Sequence, residues 1–150
     1  MTHLFIINPA AGSRDRSGEY RQKIEAAFAG RTEPYRIEIS QGPGDCTKLA
    51  REAALSGETY RIYACGGDGT LNEVVNGAAG HDHVAVTCVP KGTGNDFLKV
   101  FGENYRTIFY DLEALAVGPQ TPFDVMDCNG HLVVVHLYAI FDANVVAHNV

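Results

Sequence analysis

The sequence lacks any excess of positive charge. Twelve Lys and Arg stand against 18 Asp and Glu in 150 residues, a formal net charge of -6 with a pI of about 5.4. A nucleic-acid binder needs a basic stripe, so nucleic acid is excluded as a main partner. Long-range attraction to an anionic membrane surface is missing for the same reason. No apolar run is long enough to cross a bilayer; the strongest, residues 132–141, is too short and is interrupted by His136. The start, Met1-Thr2-His3-Leu4, has neither the basic region nor the cleavage site of a signal peptide. The four cysteines form no C-x-x-C pair, and the six histidines, His81-x-His83 included, fall at no metal-ligand spacing. Cys65 and Cys88 sit inside apolar strand candidates, where thiols serve as small core residues. A reduced, cytoplasmic protein with an ordinary soluble composition follows: 45% hydrophobic and 20% charged.

Several phosphate and nucleophile motifs are absent as well. There is no G-x-x-x-x-G-K-[ST], which excludes a Walker-type loop, and no G-x-S-x-G, which removes support for a Ser-His-Asp hydrolase. Gly92-Thr93-Gly94 opens a G-x-G but has no third glycine, so a dinucleotide fingerprint is incomplete.

What is present is Gly66-Gly67-Asp68-Gly69-Thr70-Leu71-Asn72-Glu73-Val74-Val75-Asn76-Gly77. Arg61-Ile62-Tyr63-Ala64-Cys65 before it reads as a strand, and residues 71–79 read as a helix. A strand, a glycine-rich turn and a helix N-terminus form an anion site, because glycine bares the backbone N–H groups and the helix dipole is positive there. Thr70 and Glu73 match a capping box, which would mark the helix start. Asp68 would repel a phosphate unless a cation lay between them, which points to a nucleotide phosphate with Mg²⁺. The plainer reading is a tight turn with Asp68 as a helix cap.

The remaining pattern alternates strands and helices. Residues 3–7 form a strand ended by Asn8-Pro9-Ala10-Ala11-Gly12-Ser13; Asn8 then lies either at a ligand-binding strand end or in a simple Asn-Pro turn. Residues 17–29 read as a helix with Tyr20, Ile24, Ala27 and Phe28 inward, and Arg14, Arg16 and Arg21 near its start could reach a phosphate or, the plainer reading, form a solvated face. Residues 35–40 alternate as a half-buried strand, and Asp45 is the expected cap of a helix over 46–56. Residues 84–89 are a buried strand leading into Pro90-Lys91-Gly92-Thr93-Gly94-Asn95-Asp96-Phe97, a second glycine-rich turn before a short helix. There Thr93, Asn95 and Lys91 could meet phosphate, or Asn95 and Asp96 could simply cap. Residues 105–116 read as one helix, 122–128 and 132–140 as strands joined by Asn129-Gly130, a strong hairpin signal. Alternation stops near residue 120, so a nucleotide-binding α/β domain over 1–120 and the first β-hairpin of a second domain over 121–150 are expected. A lone hairpin is marginal in water, so the chain reads as cut short.

Together the three strand-end loops resemble the catalytic domain of diacylglycerol kinases, including bacterial lipid kinases and the sphingosine and ceramide kinases. Pro122-Phe123-Asp124-Val125 is similar to the family's next element. The resemblance implies a Rossmann-like, open, mostly parallel α/β sheet flanked by helices, followed by the start of a β-rich domain. It implies ATP binding at Asn8, Pro9, Ala10, Ala11, Gly12, Ser40, Gly66, Gly67, Asp68, Gly69, Thr70, Leu71, Asn72 and Thr93. It implies Mg²⁺ held by Asp68 and Asp124 through waters, with Asn95 and Asp96 beside the transferred phosphate. The implied activity is transfer of the γ-phosphate of ATP to a lipid hydroxyl at a membrane surface, by a cytoplasmic protein that associates peripherally. The family's base and further metal ligands are expected beyond residue 150. His136 and Ile140-Phe141-Asp142-Ala143 depart from the family's returning strand. Two other readings stay open: an NAD kinase or phosphofructokinase-like enzyme, which also uses Gly-Gly-Asp-Gly, and a catalytically incomplete nucleotide-binding fragment. The sequence does not name the lipid acceptor or the oligomeric state; a homodimer is one expectation.

Overall fold

The computed structural model describes residues 1–91 and 95–134. At its centre β1 (Thr2–Ile7), β2 (Tyr35–Ile39), β3 (Tyr60–Gly66) and β4 (Val84–Pro90) form a parallel sheet in the order β2-β1-β3-β4. The connections are α1 (Ser17–Phe28), α2 (Asp45–Leu55) and α3 (Asp68–Ala78). A 3-10 helix (Phe97–Phe101), α4 (Tyr105–Phe109) and α5 (Leu112–Val117) follow, then the antiparallel hairpin β5 (Met126–Cys128) and β6 (His131–Val133). The open parallel α/β sheet flanked by helices is the fold expected from the sequence.

Strand alternation sorts the core onto the two faces of the sheet. Leu4, Ile6, Ile62 and Ala64 meet Ala50, Ala53, Leu71 and Val74 of α2 and α3, with Leu98 and Phe109. Phe5, Ile7, Tyr63 and Cys65 meet Tyr20, Ile24 and Phe28 of α1 with Leu112 and Ala116 of α5. All of β3 is buried, which is why it reads as an almost unbroken apolar run. Its one charged residue, Arg61, is also buried and donates to the carbonyls of Leu115, Ala116 and Gly118, at 2.5, 2.7 and 2.8 Å. The guanidinium therefore satisfies the C-terminal carbonyls of α5 and sits at the negative end of its dipole.

Helices α2 and α3 touch backbone to backbone. A Cβ on Gly77 would lie 2.3 Å from the Thr47 carbonyl oxygen and 2.8 Å from Ala50 Cβ. Gly77→Ala is therefore expected to destabilise by about 1–3 kcal/mol through overpacking, against the roughly 1 kcal/mol that alanine gains in a free helix. Denaturant unfolding measures the sign, and a stabilised variant would contradict the close approach.

His3 is fully buried between Phe28 and Tyr63, and its Nδ1 lies 2.7 Å from the Tyr63 hydroxyl. Burial first, and the Arg61 charge second, push its pKa down to about 4. In the unfolded chain it titrates near about 6.5. The fold thus holds His3 neutral, and the unfolded state binds more protons between these values. Its contribution is fully present above about pH 6.5 and is lost as pH falls toward 4, about 3 kcal/mol in all. His3→Gln keeps a polar partner for Tyr63 without the titration. Unfolding free energies of the two proteins are expected to converge as pH falls through this window; parallel profiles would contradict the account.

Three local expectations are corrected. The helix predicted over 105–116 breaks at Tyr110 and Asp111, because the extended Asp111 accepts from the Ala114 N–H at 3.0 Å and starts α5 anew. Asp45 does not cap α2 from outside. Gly44, in a left-handed conformation, precedes the helix, and the Asp45 carboxylate accepts from the Gln41 N–H at 2.8 Å. The strand predicted over 122–128 is reduced to Met126–Cys128. Its turn is as expected, with positive φ at both Asn129 (53°) and Gly130 (83°). The rest of the returning strand, with His136 and residues 140–143, lies outside the described residues.

Candidate functional site

The order of strand addition reverses between the parallel neighbours β1 and β3. The chain leaves β1 for α1 on one face and leaves β3 for α3 on the other. The loops after these strands therefore open beside a crevice at the carboxyl edge of the sheet, the usual ligand position in open α/β folds.

At the end of β3 the backbone passes through extended Gly67 into α3, whose first residue is Asp68. The capping box expected from Thr70 and Glu73 does not form. The helix starts earlier, Thr70 falls within its first turn, and its N-cap, Gly67, makes no side-chain cap. The first amides of any helix lack a partner within it. The Thr70 side chain instead folds under Gly66, where a Cβ would lie 2.2 Å from Thr70 Oγ1. Gly66 is thus required by close approach. Thr70 Oγ1 accepts from Asn8 Nδ2 at 3.0 Å, while Asn8 Oδ1 accepts from the Ala10 N–H at 3.0 Å. One asparagine therefore forms the Asn-Pro turn and also ties the first loop to the second.

Asp68 does not fold onto its own helix. Its carboxylate accepts from the N–H groups of Asp96 at 2.8 Å and Phe97 at 3.2 Å, capping the 3-10 helix that follows the third loop. The third loop is tied back from its other end, where Lys91 N–H donates to Gly66 O at 2.9 Å. Lys91 Nζ reaches the carbonyls of Asn8 and Pro9 at 3.2 and 3.0 Å. Asn95 is buried in this region, and Asp96 pairs with Lys99. Ser40 is buried and its N–H donates to Ile7 O at 2.9 Å. Leu71 packs into the core, and Gly12 takes a φ of 79°. Thr93 lies outside the described residues.

Asn72 faces the hairpin. Its Oδ1 accepts from the Val134 N–H at 3.2 Å, while Asn76 accepts from Leu132 N–H at 2.9 Å and donates to Leu132 O at 2.7 Å. Asn76 thus mimics a strand partner for β6. Its place four residues after Asn72 puts both asparagines on one helix face, the only sign of this role in the sequence. Asp124 is exposed; the neighbouring Phe123 ring packs edge-on against Phe97, 5.2 Å between centroids. That contact joins the Asp124 segment to the helix that Asp68 caps.

Burial pushes the Cys65 thiol up, and pushes Cys88 up to about 12, so both act as core residues. A groove of about 590 Å³ lined by Lys23, Ala27, Arg106, Tyr110 and Leu112 shares no residue with the loops. Among the described residues no three His, Cys, Asp or Glu form a metal cage. One or two carboxylates suit Mg²⁺, which keeps several waters and borrows phosphate oxygens. The two Asp68 oxygens each retain acceptor capacity beyond the amides they serve.

The fold and its three interlocked polar loops define an open α/β protein with a built strand-end site. Residues 2–128 match the diacylglycerol kinase catalytic domain model, and the chain belongs to that family. A diacylglycerol kinase of Bacillus subtilis is 42% identical over 88 residues, covering 58% of this chain and 29% of that protein. A crystal structure of a diacylglycerol kinase from Bacillus anthracis superposes with a TM-score of 0.65 at 27% identity, over 97% of this chain and 52% of that one. The chain spans about a third of the length of the curated relatives it matches.

Proposed function

We propose that this chain carries the nucleotide site of an ATP-dependent lipid kinase that phosphorylates a diacylglycerol-like hydroxyl. The observation that carries the reading is the interlocking of three loops around the uncapped start of α3. The amides at this helix start and the bare glycines suit a polyphosphate. Asn8, Pro9, Ala10, Ala11, Gly12, Ser40, Gly66 to Asn72 and Thr93 are the proposed nucleotide contacts. Asp68 and Asp124 are proposed to hold the water shell of Mg²⁺, which when bound neutralises charge on the phosphate oxygens. Asn95 and Asp96 are proposed to lie beside the transferred group. Residues 1–120 are proposed as the nucleotide unit, and 121–150 as the start of a β-rich unit that faces the lipid. Among the described residues no helix is long and apolar enough to cross a membrane, so the lipid is proposed to be met at the bilayer surface.

Thermal unfolding of the chain with and without Mg-ADP tests the nucleotide site. Ligand at about 100 times its dissociation constant should add about 2.7 kcal/mol. Transfer from ATP, with diacylglycerol, a sphingoid base, NAD and fructose 6-phosphate as acceptors, tests the chemistry. Transfer to NAD or the sugar phosphate, and none to a lipid, would overturn the substrate class.

A further inference from the structure

Lys91 is 4% exposed, yet it is a lysine. Its ammonium touches two main-chain carbonyls, Asn8 O and Pro9 O, and among the described residues no carboxylate lies within ion-pair distance. A buried ammonium with only neutral acceptors is costly, because carbonyl dipoles replace hydration without cancelling the charge. The neighbouring acids are already engaged: Asp15 accepts from Ser17, and Glu19 accepts from Arg14 and Arg16. Burial accordingly lowers the Lys91 pKa, with Asp15 opposing. The same residue is hydrogen-bonded through its backbone to Gly66, and its stem passes 4.0 Å from the Cβ position of Gly12. The cation therefore sits where the first and second loops meet, with one ammonium hydrogen beyond those given to the two carbonyls.

We propose that Lys91 is a phosphate-binding residue, whose ammonium is the built-in countercharge for the anionic end of the nucleotide. The inference rests on the nucleotide reading above and adds to it a residue and a role. A fixed charge in a shielded position acts on phosphate oxygens and not on a neutral nucleoside. It also holds the first loop in place through the two carbonyls, so charge and tether must be separated.

Lys91→Gln keeps a donor for the carbonyls and removes the charge; Lys91→Arg keeps the charge. Dissociation constants of Mg-ADP, AMP and adenosine are measured for each protein, with thermal unfolding as a check on folding. Lys91→Gln is expected to weaken Mg-ADP 10-fold or more, AMP less, and adenosine less than twofold, with Lys91→Arg recovering most of the loss. Equal losses for ADP and adenosine would make Lys91 a tether only and overturn the proposal, as would unchanged ADP binding. If Lys91→Gln fails to fold, Lys91→Arg decides: its ratio of ADP to adenosine affinity should stay within threefold of the original, and collapse of that ratio contradicts a charge role. Failure of the unmodified chain to bind Mg-ADP would instead overturn the nucleotide reading itself, and the proposal with it.

Discussion

Replacement of Asp68 by alanine is expected to weaken Mg-ADP binding by about 10- to 100-fold, the usual cost of losing a group that holds a metal's outer shell. Metal-free ADP is expected to bind the variant as well as or better than the original, because a carboxylate beside a phosphate is repulsive when no cation separates them. This opposite sign distinguishes a metal role from a structural one. The structure also gives Asp68 a structural task, capping the helix at Asp96 and Phe97. Loss of such a cap costs about 1–2 kcal/mol. In a chain of this size that is a melting temperature lower by a few degrees, at roughly 2–4 °C per kcal/mol. Calorimetric titration with and without Mg²⁺, beside a melting curve, separates the two tasks. Equal weakening of metal-free and Mg-bound ADP would reduce Asp68 to its capping role.

The second large effect belongs to Arg61. Arg61→Met keeps the apolar stem but removes hydrogen bonds to three carbonyls at the end of α5. Hydrogen bonds from charged groups contribute about 1.5–3 kcal/mol each, though not additively, and the orphaned carbonyls add a desolvation cost. We expect a loss of about 4 kcal/mol in denaturant unfolding, with α5 opening first in hydrogen exchange. A loss below about 1 kcal/mol would mean that water replaces the guanidinium and that α5 is not anchored to the sheet.

Much of the architecture was legible because it is written locally. The apolar runs of β1, β3 and β4, the stripe Tyr20, Ile24 and Phe28, and the Asn129-Gly130 turn each follow from residue type and spacing. One misreading comes from competition between a local signal and a longer-range partner, the other from a local cap hidden inside a helical pattern. Thr70 carries a capping signal but is claimed by Asn8, 62 residues away, and by the missing side chain of Gly66. Asp111 looked like a polar residue within one helix, yet its own carboxylate restarts the chain.

The site was legible as three loops, not as a network. Asn8, Asp68 and Lys91 were each visible as strand-end polar residues, but hydrogen bonds over 62, 28 and 83 residues decide what they do. Asn76 was hidden because a polar residue on a helix face gives no sign that a hairpin 56 residues later will seat on it. The Asp68 contact bears on the capping reading. It is a cap, but of a different helix, so the carboxylate stands between the two glycine-rich loops.

A crystal structure of the chain with Mg-ADP tests the central claim most directly. The account predicts phosphate oxygens on the backbone N–H groups at the start of α3, between Gly67 and Thr70, with the metal's waters on Asp68. A well-ordered nucleotide bound elsewhere, for instance in the groove between Lys23 and Arg106, with the Gly66–Thr70 turn free of phosphate, would contradict it.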